Sequence, residues 1–140
     1  MADRIDRAAS RPDRTNIYSD IFTNFNAHPN TGALLVRTDV DAVKRALRNL
    51  IMTDKGERPF NTKFGSNIKS ILFEPATDIN RRQLQTLIRE AIETNEKRAI
   101  IQDVVVALAN DEETYVIDVY FRLLNSPDVN NLNVKLDRIR

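Results

Sequence analysis

Residues 114–124 read TYVIDVYFRLL, and their alternation decides the fold. Tyr115, Ile117, Val119, Phe121 and Leu123 fall on one face, while Asp118 and Arg122 mark the other. A repeat of two is the signature of a half-buried strand. Upstream, AIIQDVVVALA at 99–109 is rich in β-branched residues, and the polar turn NDEE at 110–113 separates the two runs. Together they predict a long antiparallel hairpin. Beyond NSPDVNN at 125–131, Leu132, Val134 and Leu136 alternate with Asn133, Lys135 and Asp137, which predicts a third strand and a C-terminal three-stranded meander.

Working backwards from the hairpin, the period changes to that of helices. Leu84, Leu87, Ile88, Ala91 and Ile92 form a stripe on a helix that starts at Thr77 or Asp78, with Glu93 and Lys97 spaced as an i,i+4 pair. A shorter helix in SNIKSILF turns Ile68, Ile71 and Leu72 inward and is closed by Pro75, since residues before proline avoid helical geometry. Before it, a helix capped by Thr38 or Asp39 carries Val40, Val43, Leu47, Leu50 and Ile51 on one face. Gly56 lies beyond its end, suited to a left-handed stop. IYSDIFTNF and ALLVRT, flanking the turn NAHPNTG, read as two short strands. Helices and strands segregated in this way predict an α+β fold, with helices packed on one face of a small antiparallel sheet. Its last strand leaves an edge that a partner can extend.

Residues 1–16 alternate Arg4, Arg7, Arg11 and Arg14 with Asp3, Asp6 and Asp13, and Pro12 interrupts any helix. They are expected to form a flexible arm preceding a single domain over 17–140. A chain of 140 residues fits one domain and buries roughly 70% of its unfolded surface. Lys and Arg number 21 against 20 Asp and Glu, so the net field is too weak to recruit a polyanion. With no cysteine, disulfides, thiolate metal sites and cysteine nucleophiles are excluded. No apolar run approaches the ~20 residues that span a bilayer. The first residues lack a signal-peptide core, so a cytoplasmic protein is expected unless something else carries it out.

Catalytic patterns are sparse. The single histidine, His28, sits in a turn, which rules out histidine-rich centres, and there is no nucleophile elbow, phosphate loop or zinc-protease motif. The acidic run at 111–113 lacks the alternating spacing of a calcium loop. Among carboxylates, Glu57 is a poor general acid because the neighbouring Arg58 favours its charged form, whereas Glu74 lies between Phe73 and Pro75. A muramidase using Glu74 and a second carboxylate is therefore one alternative. A small adaptor that binds a polyanion through the N-terminal arginines is another.

Residues 48–75, RNLIMTDKGERPFNTKFGSNIKSILFEP, carry a more specific pattern. A helix ends in Leu50 and Thr53, followed by Gly56-Glu57-Arg58, the aromatic-glycine pair Phe64-Gly65, and a short helix ending Phe73-Glu74-Pro75. In this the chain resembles the baseplate wedge family of contractile tails, found in contractile phages and in type VI secretion baseplates, some members of which carry a lysozyme-related name. That family also has a Glu-Pro-Arg element where the long helix enters the hairpin. Glu96-Lys97-Arg98 occupies the place here, with lysine for proline. The likeness covers about residues 17–138.

The resemblance implies a structural subunit in six copies per virion tail baseplate, assembled in the host cytoplasm, with no cofactor and no lytic activity. It implies a fold like the sheath-subunit core, docking on the helical bundle of the other wedge proteins, and initiation of the sheath by strand exchange. On that basis Glu96, Lys97 and Arg98 are expected to dock on the bundle, while Glu57 and Arg58 position their loop or touch a neighbour. The strands at 114–124 and 132–138 would pair with sheath subunits, with no membrane or specific nucleic-acid partner. For each Glu–Arg pair, a salt bridge within the chain remains the competing reading.

Overall fold

The computed structural model describes residues 19–21, 29, 32, 36–109 and 113–138. The expected arm at 1–16, with its arginines, lies outside these residues, as does His28. The chain falls into two compact units, Met1–Asp39 and Val40–Arg140. In the first, β1 (Ser19–Ile21) pairs antiparallel with β2 (Val36–Thr38), in the register Ser19 to Thr38 and Ile21 to Val36. These are the two short strands the sequence predicts.

The second unit is built on α1 (Asp39–Met52), α2 (Lys69–Leu72), α3 (Asp78–Asn95) and a sheet of β3 (Ala99–Leu108), β4 (Thr114–Leu123) and β5 (Val129–Asp137). Its strand order is β3-β4-β5, all antiparallel. The apolar stripes of the helices become the core: Ala42, Val43, Leu47, Leu50 and Ile51 of α1 are buried, with Ile68, Ile71 and Leu72 around α2. Leu84, Ile88, Ala91 and Ile92 of α3 join them, whereas Leu87 is only half-buried. Thr77 is the residue that caps α3, its hydroxyl accepting the Asn80 N–H at 3.2 Å.

On β4, Tyr115, Ile117, Val119, Phe121 and Leu123 are all buried, as the alternation requires. The opposite sheet face is mixed, with Val105, Tyr120 and Val129 exposed beside a polar cluster in which Asp118 accepts hydrogen bonds from the side-chain amides of Asn133 at 2.8 Å and Asn131 at 3.4 Å. The core and helices therefore lie against one face of the sheet.

Two details escaped the alternation. Pairing runs Ile101 to Phe121 and then Asp103 to Tyr120, leaving Gln102 as a bulge. The bulge flips the phase, so Ala99 faces inward before it, and Val104 and Val106 after it. The third strand also starts at Val129, three residues before its apolar alternation begins, because the ladder continues through Val129, Asn130 and Asn131 opposite Arg122, Phe121 and Tyr120. Backbone pairing needs no apolar side chain.

Helix and sheet are tied by polar contacts as well. The Gln85 amide donates to the Val104 carbonyl at 3.1 Å, and Arg48 donates to the Asn133 carbonyl at 3.1 Å. Phe121 is a large, fully buried side chain of the inner face, so Phe121→Ala is expected to cost about 3–5 kcal/mol. Thermal unfolding should show a Tm drop on the order of 10 °C or more, against little change for Tyr120→Ala on the open face.

Candidate functional site

The connection from α1 to α2 is a strapped loop. Ser66 is buried, its hydroxyl donates to the Ile51 carbonyl at 2.9 Å, and its N–H donates to the Thr53 carbonyl at 2.8 Å. Lys55 returns a bond from its N–H to the Ser66 carbonyl at 3.2 Å, so Asp54 and Ser66 form a short parallel bridge. Gly65 makes the approach possible. It sits at φ +122°, and a Cβ there would lie 2.6 Å from the Thr53 carbonyl oxygen.

Gly65 therefore serves backbone contact with the end of α1, four residues ahead of Lys69, where α2 begins. Gly56 differs from expectation. α1 ends at Met52, and Gly56, at φ +91°, is the third residue of a turn closed by the Glu57 N–H on the Asp54 carbonyl at 3.2 Å. A positive φ at that position is the demand glycine meets.

Glu57 and Arg58 do not pair with each other. The Glu57 carboxylate accepts the Asp54 N–H at 2.8 Å and the Lys69 ammonium at 3.0 Å. Arg58 lies over the Phe64 ring, its guanidinium carbon 3.8 Å from the centroid. The Asp54 N–H, then Lys69, hold the Glu57 carboxyl below the usual range, and Glu57 and Asp54 raise Lys69. Lys69 is thus the residue sequence reading missed. It lies twelve positions from Glu57 and on α2, where no local pattern links the two.

At the corner between α3 and β3, Glu96 and Arg98 do pair. Arg98 donates from Nε to Oε1 at 2.8 Å and from Nη2 to Oε2 at 2.7 Å, a two-pronged bond. Burial pushes the Glu96 carboxyl up, but the bonds from the Arg98 side chain and backbone, with its charge, bring it below the ordinary value. Lys97 does not meet the Glu93 carboxylate. Its ammonium donates to the Glu93 carbonyl at 2.9 Å, beside the last turn of α3. There a cation satisfies a terminal carbonyl and the helix dipole, a different route to a fixed corner from a proline ring.

Glu74, the candidate acid of the muramidase reading, is exposed beside an exposed Phe73 and Pro75. That is not the enclosed apolar pocket in which a glycosidase acid sits. Two cavities flank the strap. One of about 170 Å³ is lined mainly by Ile51, Met52, Ile68, Leu72 and Leu136, with Asp54 and Lys69. The other, about 80 Å³, includes Lys55, Ser66 and Glu90. Each holds a single carboxylate, where glycoside hydrolysis by paired acids needs two.

Helices on one sheet face, a strapped loop and a clamped helix-to-strand corner define a small α+β building block whose Glu57 and Glu96 carboxylates are paired within the chain. Residues 37–128 match the family described as baseplate wedge protein gp25, and the chain belongs to that family. The match runs from β2 through β4, includes both charged elements, and stops just before β5. A similar protein is the baseplate wedge protein gp25 of Enterobacteria phage T4, 30% identical over 87 residues, or 62% of this chain. The chain spans 66% of that relative's length, just under two thirds.

The fold is shared with a provisionally named tail lysozyme from Geobacter sulfurreducens, at TM-score 0.72 and 19% identity over 77% of this chain and 98% of that one. It is shared with a chain of the anti-feeding prophage baseplate, at 0.60 and 22% over 88% and 87%. A chain of the type VI secretion baseplate also matches, at 0.59 and 14% over 72% and 94%.

Gly65→Ala is expected to cost on the order of 2–5 kcal/mol, adding left-handed strain to the overlap with Thr53. Gly56→Ala meets open space, so only the strain remains, about 1–2 kcal/mol. Chemical denaturation should separate the two. The lowered carboxyls of Glu57 and Glu96 give a sign for pH. Their stabilisation is complete above the unfolded value of 4.5 and is lost as pH falls through the folded values. The double variant Glu57→Gln, Glu96→Gln should therefore flatten the acid decline of Tm below pH 4.5 relative to the parent.

Proposed function

We propose that this protein is a non-enzymatic wedge subunit of a contractile-tail baseplate, which docks on neighbouring wedge proteins and starts the sheath. The observation that carries the reading is the family match over residues 37–128, which takes in the strapped loop and the Glu96–Arg98 corner together. A structural role also suits a chain in which Glu57 and Glu96 are paired internally and Glu74 is exposed. Six copies per baseplate, as the family resemblance implies, are compatible with six-fold symmetry of the kind imposed on the anti-feeding prophage baseplate.

Docking is assigned to the Glu96-Lys97-Arg98 corner. Glu96 and Arg98 satisfy each other, and a partner that meets this corner finds a pre-ordered charge pair beside the α3 terminus. The pre-ordering lowers the entropy cost of association. Sheath initiation is assigned to β5. Of the two strands expected to pair with sheath subunits, 114–124 is excluded, since β4 lies between β3 and β5 and has no open edge. β5 is an outer strand of its sheet and keeps the capacity for strand addition.

Cells that make the particle should be deleted for this chain and complemented. Electron micrographs should show no sheathed tails in the deletion, rescue by the parent chain, and poor rescue by Arg98→Glu. Sheathed, contracting tails without the chain would overturn the proposal, as would robust clearing of peptidoglycan by the purified protein. Because the chain has no cysteine, a photoreactive probe on Lys135→Cys in the exposed part of β5 reports one site, and it should label a sheath subunit.

A further inference from the structure

We infer that the tip of the strapped loop is a second docking surface, in which Phe60 enters an apolar pocket with an acidic rim on a neighbouring protein of the particle. The inference rests on the baseplate reading above. Single exposed apolar residues are ordinary on protein surfaces, so exposure alone decides nothing. Phe60 differs because it is fully exposed, at 102%, on a loop that is otherwise locked.

Pro59 and Phe60 are the central residues of a turn closed by the Asn61 N–H on the Arg58 carbonyl at 3.2 Å. Behind it, the Phe64 N–H bonds the Asn61 carbonyl at 3.1 Å, and the Gly56 N–H bonds the Thr62 carbonyl at 2.9 Å. Arg58 stacks on Phe64, Glu57 is clamped by Lys69, and Ser66 straps the base. The second phenylalanine of the loop is thus consumed internally while the first is held out in water. A pre-ordered aromatic ring beside an arginine is the kind of group that dominates binding energy at interfaces, because little freedom remains to be lost on docking.

Charge selects the partner. Lys55, Arg58 and Lys63 are exposed around the tip, and none has an ion-pair partner among the described residues. The nearby carboxylates, Asp54 and Glu57, both share Lys69, at 3.4 and 3.0 Å. The tip is therefore cationic around an apolar centre, and its complement is an apolar pocket rimmed by Asp or Glu. A second copy of this chain fits less well, since its larger apolar cavity carries Asp54 already paired with Lys69. One ring also offers far less apolar area than the helices that lie on anionic membranes.

The test places a photoreactive benzoylphenylalanine at position 60 of the full chain, in particles assembled from otherwise normal components. Mass spectrometry of the irradiated particles should find one neighbouring protein labelled beside an acidic cluster. That protein, purified, should then bind Phe60→Ser on the order of tenfold to a hundredfold more weakly than the parent. The variant should keep the parent Tm, since nothing packs on the ring, and binding should weaken with salt. Labelling of a second copy, of lipid, or of nothing in particles that do contain the chain overturns this inference and leaves the baseplate reading intact. Absence of the chain from the particles overturns both.

Discussion

Ser66 reaches the end of α1 through an approach that a Cβ on Gly65 would block, and the rest of the helical layer depends on it. One buried hydroxyl and one N–H close the chain onto Ile51 and Thr53. That closure sets the distance between α1 and α2, brings Lys69 within reach of Glu57 and Asp54, and leaves the intervening residues as a turn aimed at solvent. Burial of Ile68, Ile71 and Leu72 follows from the same strap, since α2 is too short to hold itself and gains its stability from packing.

The second fixed point is the passage from α3 to β3. A helix and a strand must change direction there without leaving polar groups unmet. The Glu96 N–H continues the helix to the Ile92 carbonyl at 2.8 Å, and the Lys97 ammonium takes the Glu93 carbonyl. Arg98 bonds back to Glu96 with side chain and backbone, while its carbonyl accepts the Leu124 N–H at 3.1 Å from the far end of β4. Both charged elements thus build the scaffold first, and any partner meets them in fixed positions. The family to which the chain belongs makes sense of such stiffness, because a subunit of a large assembly gains from surfaces that need no reordering.

Much of this was legible in the residues. The alternation of Tyr115 to Leu123 identified the buried face of β4, and the helical stripes placed all three helices, because solvent exclusion imposes its period directly on sequence. The bulge at Gln102 was hidden, since one extra residue leaves composition unchanged and alters only the phase. The early start of β5 was hidden by Asn130 and Asn131, whose backbones pair while their side chains stay polar. At the site, Glu96 with Arg98 was readable as a local pair. The competing reading of Glu57 with Arg58 as a salt bridge within the chain fails, because sequence neighbours on a turn point apart and the partner of Glu57, Lys69, is brought in by the strap. Gly56 meets the demand for backbone freedom expected of it, but in a turn past the helix end, while Gly65 permits a close contact that no local pattern announces.

On the proposed function, this chain is a rigid structural piece of a contractile-tail baseplate. Electron cryomicroscopy of the assembled particle tests it most directly. Density for this fold is expected in the baseplate wedge, with the 53–69 strap unchanged and the Glu96–Arg98 corner buried against a neighbouring protein. A baseplate complete without this chain, or one in which the strap is opened, would contradict it.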